Sequence, residues 1–189
     1  MAKLSVTHDA LLAALEAYTP QNAREARDAG RVRALIGETD PWSRSSPIHV
    51  TGSALVVDPT SARVLMRWHP RLERWMQVGG HADAGETDPW AIALREASEE
   101  TGLRDLSPWS PDLGRTPVQL TIVGVPAAAQ EPAHEHADMR YVFSTESPER
   151  ALSETSDAPL RWSTIDRAIA ETDEENLKEF LHRAERMLR

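Results

Sequence analysis

Residues 79–103 read GGHADAGETDPWAIALREASEETGL, and the reading of this stretch decides the fold. An apolar run (Trp75, Met76, Val78) stops at Gly79 and Gly80, and Gly85 bends the chain again. The backbone here can therefore take positive φ and lie close to a ligand. Asp88 before Pro89 marks a helix start: the aspartate can accept from free amide donors, and proline at the first helical position has no donor to lose. Gly102 is the matching stop. The spacing predicts a helix from about Pro89 to Thr101.

At about 100° per residue, with Glu96 at zero, Glu99 falls near −60° and Glu100 near +40°, so the acids share one face. By the same arithmetic Trp90, Leu94, Ala97 and Thr101 lie between about 100° and 160° and are expected to form the core-facing stripe, roughly opposite the acids. Ile92 does not fit, since it falls on the acidic side, and implies that this side is partly covered one turn earlier. Carboxylates crowded at helical spacing repel one another by a few tenths of a kcal/mol per pair and raise one another's pKa. A cation removes that penalty, and hard oxygen donors suit Mg2+ or Mn2+. The simpler reading is a solvated acidic face; the glycines, the cap and Arg95 around it favour a metal clamp.

The stretch resembles the Nudix box: Gly, five residues, Glu, seven residues, Arg-Glu, an aliphatic residue, any residue, Glu-Glu, any residue, Gly, and an aliphatic residue. Gly80, Glu86, Arg95, Glu96, Glu99, Glu100, Gly102 and Leu103 match it. Two departures stand out: eight residues separate Glu86 from Arg95, and Ala97 replaces a larger aliphatic residue. The extra residue falls around Thr87 to Pro89, where a loop can absorb it. The resemblance implies an α/β fold (α+β), a Nudix-type α/β/α sandwich with a mixed sheet, over residues 46–189. Residues 1–45 are expected to form an N-terminal helical extension and linker. It further implies a metal-dependent pyrophosphohydrolase that cleaves a diphosphate linkage in a nucleoside diphosphate derivative by attack of metal-activated water. Such derivatives include nucleotide sugars, ADP-ribose, dinucleotides and nucleoside triphosphates. The metal, Mg2+ or Mn2+, would be held by Glu96, Glu99, Glu100 and the carbonyl of Gly79, with Arg95 orienting a carboxylate. Glu96 or Glu99 is a candidate base.

Composition is consistent with this. The net charge of −9 argues against a nucleic-acid polymer as partner, for which a basic stripe is expected, but not against a small phosphorylated substrate. The chain has no cysteine, which fits a cytoplasmic protein and excludes thiol nucleophiles. It also removes the isomerase branch of the resemblance, which needs a catalytic cysteine. The longest apolar run near the amino terminus, Ala10 to Leu15, is too short for a membrane span. Residues 1–45 are also the candidate surface for a homodimer.

Arg67, His69, Arg71 and Arg74 precede the box and are candidates for phosphate contacts, because guanidinium grips phosphate through parallel hydrogen bonds. His81 follows the glycine pair and is a candidate substrate contact, as is His136. In Glu131 to Arg140 (EPAHEHADMR), His134, His136, Asp138 and Arg140 alternate and would share one face of a strand, with Met139, Tyr141 and Phe143 on the other. That polar face either lines the site or is a solvated edge. Two histidines at this spacing could also hold a transition metal, but no third ligand is evident nearby in sequence. Trp42, Trp68, Trp109 and Tyr141 could stack a base, although core packing is their commoner role.

Elsewhere, helical spacing predicts helices over Thr7 to Tyr18 and Asn22 to Ile36, a linker over Thr39 to Pro47, and closing helices over Ser163 to Ala170 and Glu174 to Leu188. Strands are expected at Ile48 to Val57, Val64 to Trp68, Val118 to Val125 and Met139 to Ser144. A different class of function stays open, a Nudix-like nucleotide-binding or regulatory module without catalysis. Its boxes are commonly broken, whereas Glu96, Glu99 and Glu100 are all present here.

Overall fold

Strand β1 (Ile48–Asp58) is the spine of the fold. The structure, a computed structural model, describes residues 8–128 and 132–189. Thr7 and Glu131, at the ends of two segments considered above, lie outside them. On one side β1 runs parallel to β7 (His134–Ser144) along nearly its full length. On the other it is shared by two antiparallel partners, β2 (Arg63–His69) near its end and β4 (Val78–His81) near its start. β3 (Arg74–Met76) and β8 (Leu160–Thr164) flank β2, while β5 (Ser107–Pro108) and β6 (Gln119–Val125) pair with β7.

Alternation along β1 sends its side chains into two layers. Ala54 and Val56 join Ile92, Ala93, Ala97, Met139, Tyr141 and Phe143 in one core. Leu55 and Val57 join Ile165, Leu177, Phe180 and Leu181 in the other. Helix α3 (Pro89–Thr101) covers the first face, and α4 (Ile165–Glu171) and α5 (Glu175–Leu188) cover the second. The mixed sheet with helices on both faces matches the expected α/β sandwich.

The amino-terminal helices α1 (Asp9–Ala17) and α2 (Ala23–Glu38) match the predicted pair. They pack on their own chain: Leu11, Leu15, Tyr18, Ala29 and Val32 belong to the α3-side core. Glu25 is fully buried, accepts from Tyr18 Oη (2.6 Å) and Gln21 N (2.8 Å), and is ion-paired to Arg183 of α5. Burial alone would raise the Glu25 pKa, but those hydrogen bonds and Arg183 hold it below its ordinary value.

Three expectations need correction. The predicted helix over Ser163 to Ala170 is a strand followed by a helix: β8 pairs with β2, and the Thr164 side chain then caps α4 by accepting from Arg167 N. The strand expected to begin at Met139 begins at His134, and β7 is an interior strand rather than a solvated edge. In α3, the buried residues are Pro89, Ile92, Ala93, Ala97, Glu100 and Thr101, with Trp90 and Leu94 on the flank. The buried arc thus includes an acid, for a reason that lies in the glycines of the facing strands. Among the described residues no helix is long and apolar enough to cross a membrane.

Candidate active site

A Cβ on Gly52 of β1 would sit 2.6 Å from Pro89 O and 2.7 Å from Ala93 N, so α3 lies on the strand closer than any side chain permits. The same closeness recurs at β4. A Cβ on Gly80 would sit 2.5 to 2.7 Å from the Glu96 carboxylate atoms. Gly79 has φ +147° and donates its N–H to Glu100 Oε2 at 2.9 Å. The glycines leave the volume into which Glu96 and Glu100 fold, and this rotates the helix so that both acids turn towards the sheet. Asp88 caps the helix through Trp90 N, Pro89 follows it, and Gly102 closes it in the left-handed conformation, as the sequence indicates.

Burial separates the three acids. The Glu100 side chain is only 12% exposed; desolvation pushes its pKa up to about 7 against the opposing pull of Gly79 N–H and of Arg67, whose Nη1 lies 3.2 Å away. Glu96 is also raised, by burial first, with Arg95 opposing. Glu99 has half its side chain exposed. Arg95 stands among them: Nη1 lies 3.0 Å from Glu96 Oε1 and 2.9 Å from Glu99 Oε2, Nη2 donates to His81 O at 2.8 Å, and Nε and Nη2 clasp Glu86, both at 3.0 Å. The extra residue of the box is absorbed before α3 begins, and Glu86 still reaches Arg95.

On the opposite face of β1 and β4 lies a cleft of about 720 Å³, lined by Gly79, Gly80, His81, His69, Arg71, Arg74, Gln77, His136, Asp138, Arg140 and Asn176 among others. Its floor is a buried polar network. Asp138 accepts from Thr51 Oγ1 (3.0 Å), Ser53 Oγ (2.7 Å) and Arg140 Nε (2.7 Å), and Arg140 also reaches Gln119 and Asn176. His136, Asp138 and Arg140 of the alternating polar face therefore line this cleft. Thr51, Ser53 and Asn176 carried no local sequence signal of a site; His49, Thr51 and Ser53 do share one strand face, which could have drawn attention to it.

The candidate substrate residues divide. His69, Arg74, His81 and His136 line the cleft, whereas Arg67 does not and instead faces Glu100. Arg74 is ion-paired to Glu174, while exposed Arg71 has no carboxylate partner within ion-pair distance among the described residues. Burial and neighbouring charges lower the pKa of His81 to about 3 and of His136 to about 4, so both rings are neutral at pH 7. None of the aromatic residues considered for base stacking lines the cleft: Trp42 and Tyr141 are buried, Trp109 donates to Met187 O, and Trp68 packs edge-on to Trp75 at 5.6 Å.

The fold is thus an α/β/α sandwich whose mixed sheet carries a glycine-flanked helix with clustered glutamates on one face and a cleft on the other. A family model described as NUDIX domain matches residues 47–184, and the chain belongs to the Nudix family of hydrolases. No curated protein sequence matches the chain. Among solved structures, it is similar to a C. elegans Ap4A hydrolase in a binary complex (TM-score 0.57, 17% identity, 74% of this chain and 96% of that one). It is also similar to a NUDIX-family hydrolase from Clostridium perfringens (TM-score 0.54, 20% identity, 75% and 98%). At these identities the likeness is one of fold.

Proposed function

We propose that this chain is a metal-dependent pyrophosphohydrolase that cleaves a diphosphate linkage in a nucleoside diphosphate derivative. The observation that carries the reading is the Glu96, Glu99, Glu100 set gathered around Arg95 and the Gly79–Gly80 turn. The residues fit a hard divalent cation: their donors are all oxygen, and burial leaves two of the carboxylates with raised pKa values that a cation would relieve. Glu96, Glu99, Glu100 and the Gly79 carbonyl would hold Mg2+ or Mn2+, which supplies neutralisation of phosphate charge and acidification of water.

The protein's own groups do the positioning. Arg95 ties the loop of Glu86 to the helix, so the glutamates keep a fixed spacing. Gly79 N–H and Arg67 fix Glu100. Glu99, the most exposed of the three, is the acid best placed to take a proton from water. Arg71 and Arg74 give the cleft a cationic rim for the phosphates of a small anionic substrate, and His69, whose pKa burial lowers, adds a neutral hydrogen-bonding group. The chain's formal charge of −9 argues against a nucleic-acid polymer as substrate.

The test is a screen of nucleoside diphosphate derivatives with Mg2+, comparing the parent with Glu99→Gln. Turnover is expected from the parent, with a loss of at least about a hundredfold in the variant, the scale for a group that organises transition-state charge. Nucleotide binding without product release, or equal turnover by the two proteins, would overturn the proposal.

A further inference from the structure

Four of the chain's seven histidines converge on the cleft face of three adjacent strands. His49 on β1 is paired directly with His136 on β7, His81 ends β4 opposite Thr51, and His134 lies two residues before His136 on the same face. Their rings crowd together: centroids are 5.0 Å apart for His49 and His136, 5.1 Å for His49 and His81, and 4.7 Å for His81 and His136. Nitrogens of His49, His81 and His136 all lie within 4.8 Å of one another.

Two further features distinguish this cluster from ordinary packing. The Nε2 atom of His136 lies 3.1 Å from Nε2 of His81 and also 3.1 Å from Nε2 of His134. A single ring nitrogen carries either one proton or one lone pair, so it cannot make a full hydrogen bond to both neighbours. Imidazole nitrogens bound about 2.0 to 2.1 Å from a tetrahedral ion stand roughly 3.3 to 3.4 Å apart. The two His136 pairs, at 3.1 Å, are close to that spacing, while the His49 nitrogen lies within 4.8 Å of those of His81 and His136. The second feature is orientation. His49 Nδ1 lies 3.2 Å from Ser46 O, and His134 Nδ1 lies 2.9 Å from Pro132 O. Each contact assigns the ring proton to Nδ1 and the lone pair to Nε2, the arrangement by which outer-shell carbonyls orient metal-ligating histidines.

We infer that His49, His81 and His136, with His134 as a fourth ligand, form a binding site for a borderline divalent cation of the zinc class. The site is separate from the glutamates across the sheet. All-imidazole donors select zinc, cobalt or nickel over Mg2+, whereas the all-oxygen glutamate set has the opposite preference. The ion would fasten the ends of β4, β1 and β7 together. Because Arg95 donates to His81 O, it would also stiffen the start of the loop that carries Glu86.

The test uses the full chain after dialysis against a chelator. Cobalt alone is added and its visible spectrum recorded, then zinc binding is measured by equilibrium dialysis in excess Mg2+. The expected results are an intense tetrahedral cobalt spectrum that zinc abolishes, and one zinc per chain. His136→Ala should weaken zinc by at least about a hundredfold, since outer-shell partners alone are worth about 10- to 100-fold. Glu99→Gln should bind zinc as the parent does. Circular dichroism establishes that the variants are folded, and His134→Ala, at the partly exposed ligand, serves if His136→Ala is not. Failure of the folded parent to bind zinc would overturn the inference. So would zinc that survives the histidine substitutions or is lost in Glu99→Gln, because the ion would then sit on the carboxylates.

Discussion

Arg95 grips Glu86 with two parallel hydrogen bonds, both 3.0 Å long, and so joins the loop after the glycine turn to α3. A lysine has no planar fork and can reproduce only one of these bonds. Arg95→Lys should therefore fold but turn over a diphosphate substrate at least about tenfold more slowly, the effect of a small misplacement of catalytic groups. Steady-state kinetics with Mg2+ checks this, and unchanged kcat would show that the fork is dispensable.

Gly52→Ala and Gly80→Ala should fail differently. At Gly52 the new methyl meets helix backbone, which cannot step aside, so unfolding in urea should show a loss of about 1 to 3 kcal/mol, the scale of overpacking. At Gly80 the methyl meets the Glu96 carboxylate, a flexible end that can swing away. Stability should then change little while kcat falls.

Glu25→Ala leaves Arg183 buried without its carboxylate, and removal of one member of a buried pair costs about 3 to 5 kcal/mol. Denaturant titration reads the loss directly. The pH dependence has a defined sign: Glu25 has a folded pKa below its unfolded value, so its contribution is complete above about pH 4.5 and is lost as pH falls through the folded value. The difference in stability between parent and Glu25→Ala should shrink in acid. Tyr18 acts at the other end: burial first and the Glu25 hydrogen bond second raise its pKa from 10.0 to about 12, so its contribution is lost as pH rises through that interval.

Adding Mg2+ to chelator-treated protein should raise the melting temperature, because an ion that binds only the folded state stabilises it by about 2.7 kcal/mol at a hundred times its dissociation constant. Glu96→Gln with Glu100→Gln should abolish the shift. A shift that persists in this double variant would place Mg2+ elsewhere.

Much of this architecture is legible in sequence where the signal is local. The capped helix, the spacing of the acids, the alternation from His134 to Phe143 and both amino-terminal helices depend on neighbouring residues and came through. What stayed hidden depends on residues far apart. The rotation of α3 follows from Gly52 and Gly80 on strands that meet it only in the fold, so an arc read from α3 alone included Trp90 and Leu94 with Ala97 and Thr101 and left out Glu100. The short β8 was hidden because its pairing with β2 outweighs the helical pattern that Ser163 and Thr164 share with α4. Two histidines at residues 134 and 136 lacked a third ligand in sequence because His49 and His81 arrive from other strands.

The parity of β1 has a consequence of its own. Residues 49, 51 and 53 face the cleft, while 50, 52 and 54 face α3, and the two sides meet at Gly79 and Gly80, which line the cleft and touch Glu100 and Glu96. Substitution at the odd positions therefore changes the cleft wall and leaves the packing of α3 on β1 unchanged. Deleting a single residue between 49 and 53 would exchange the two sets and end both chemistries at once.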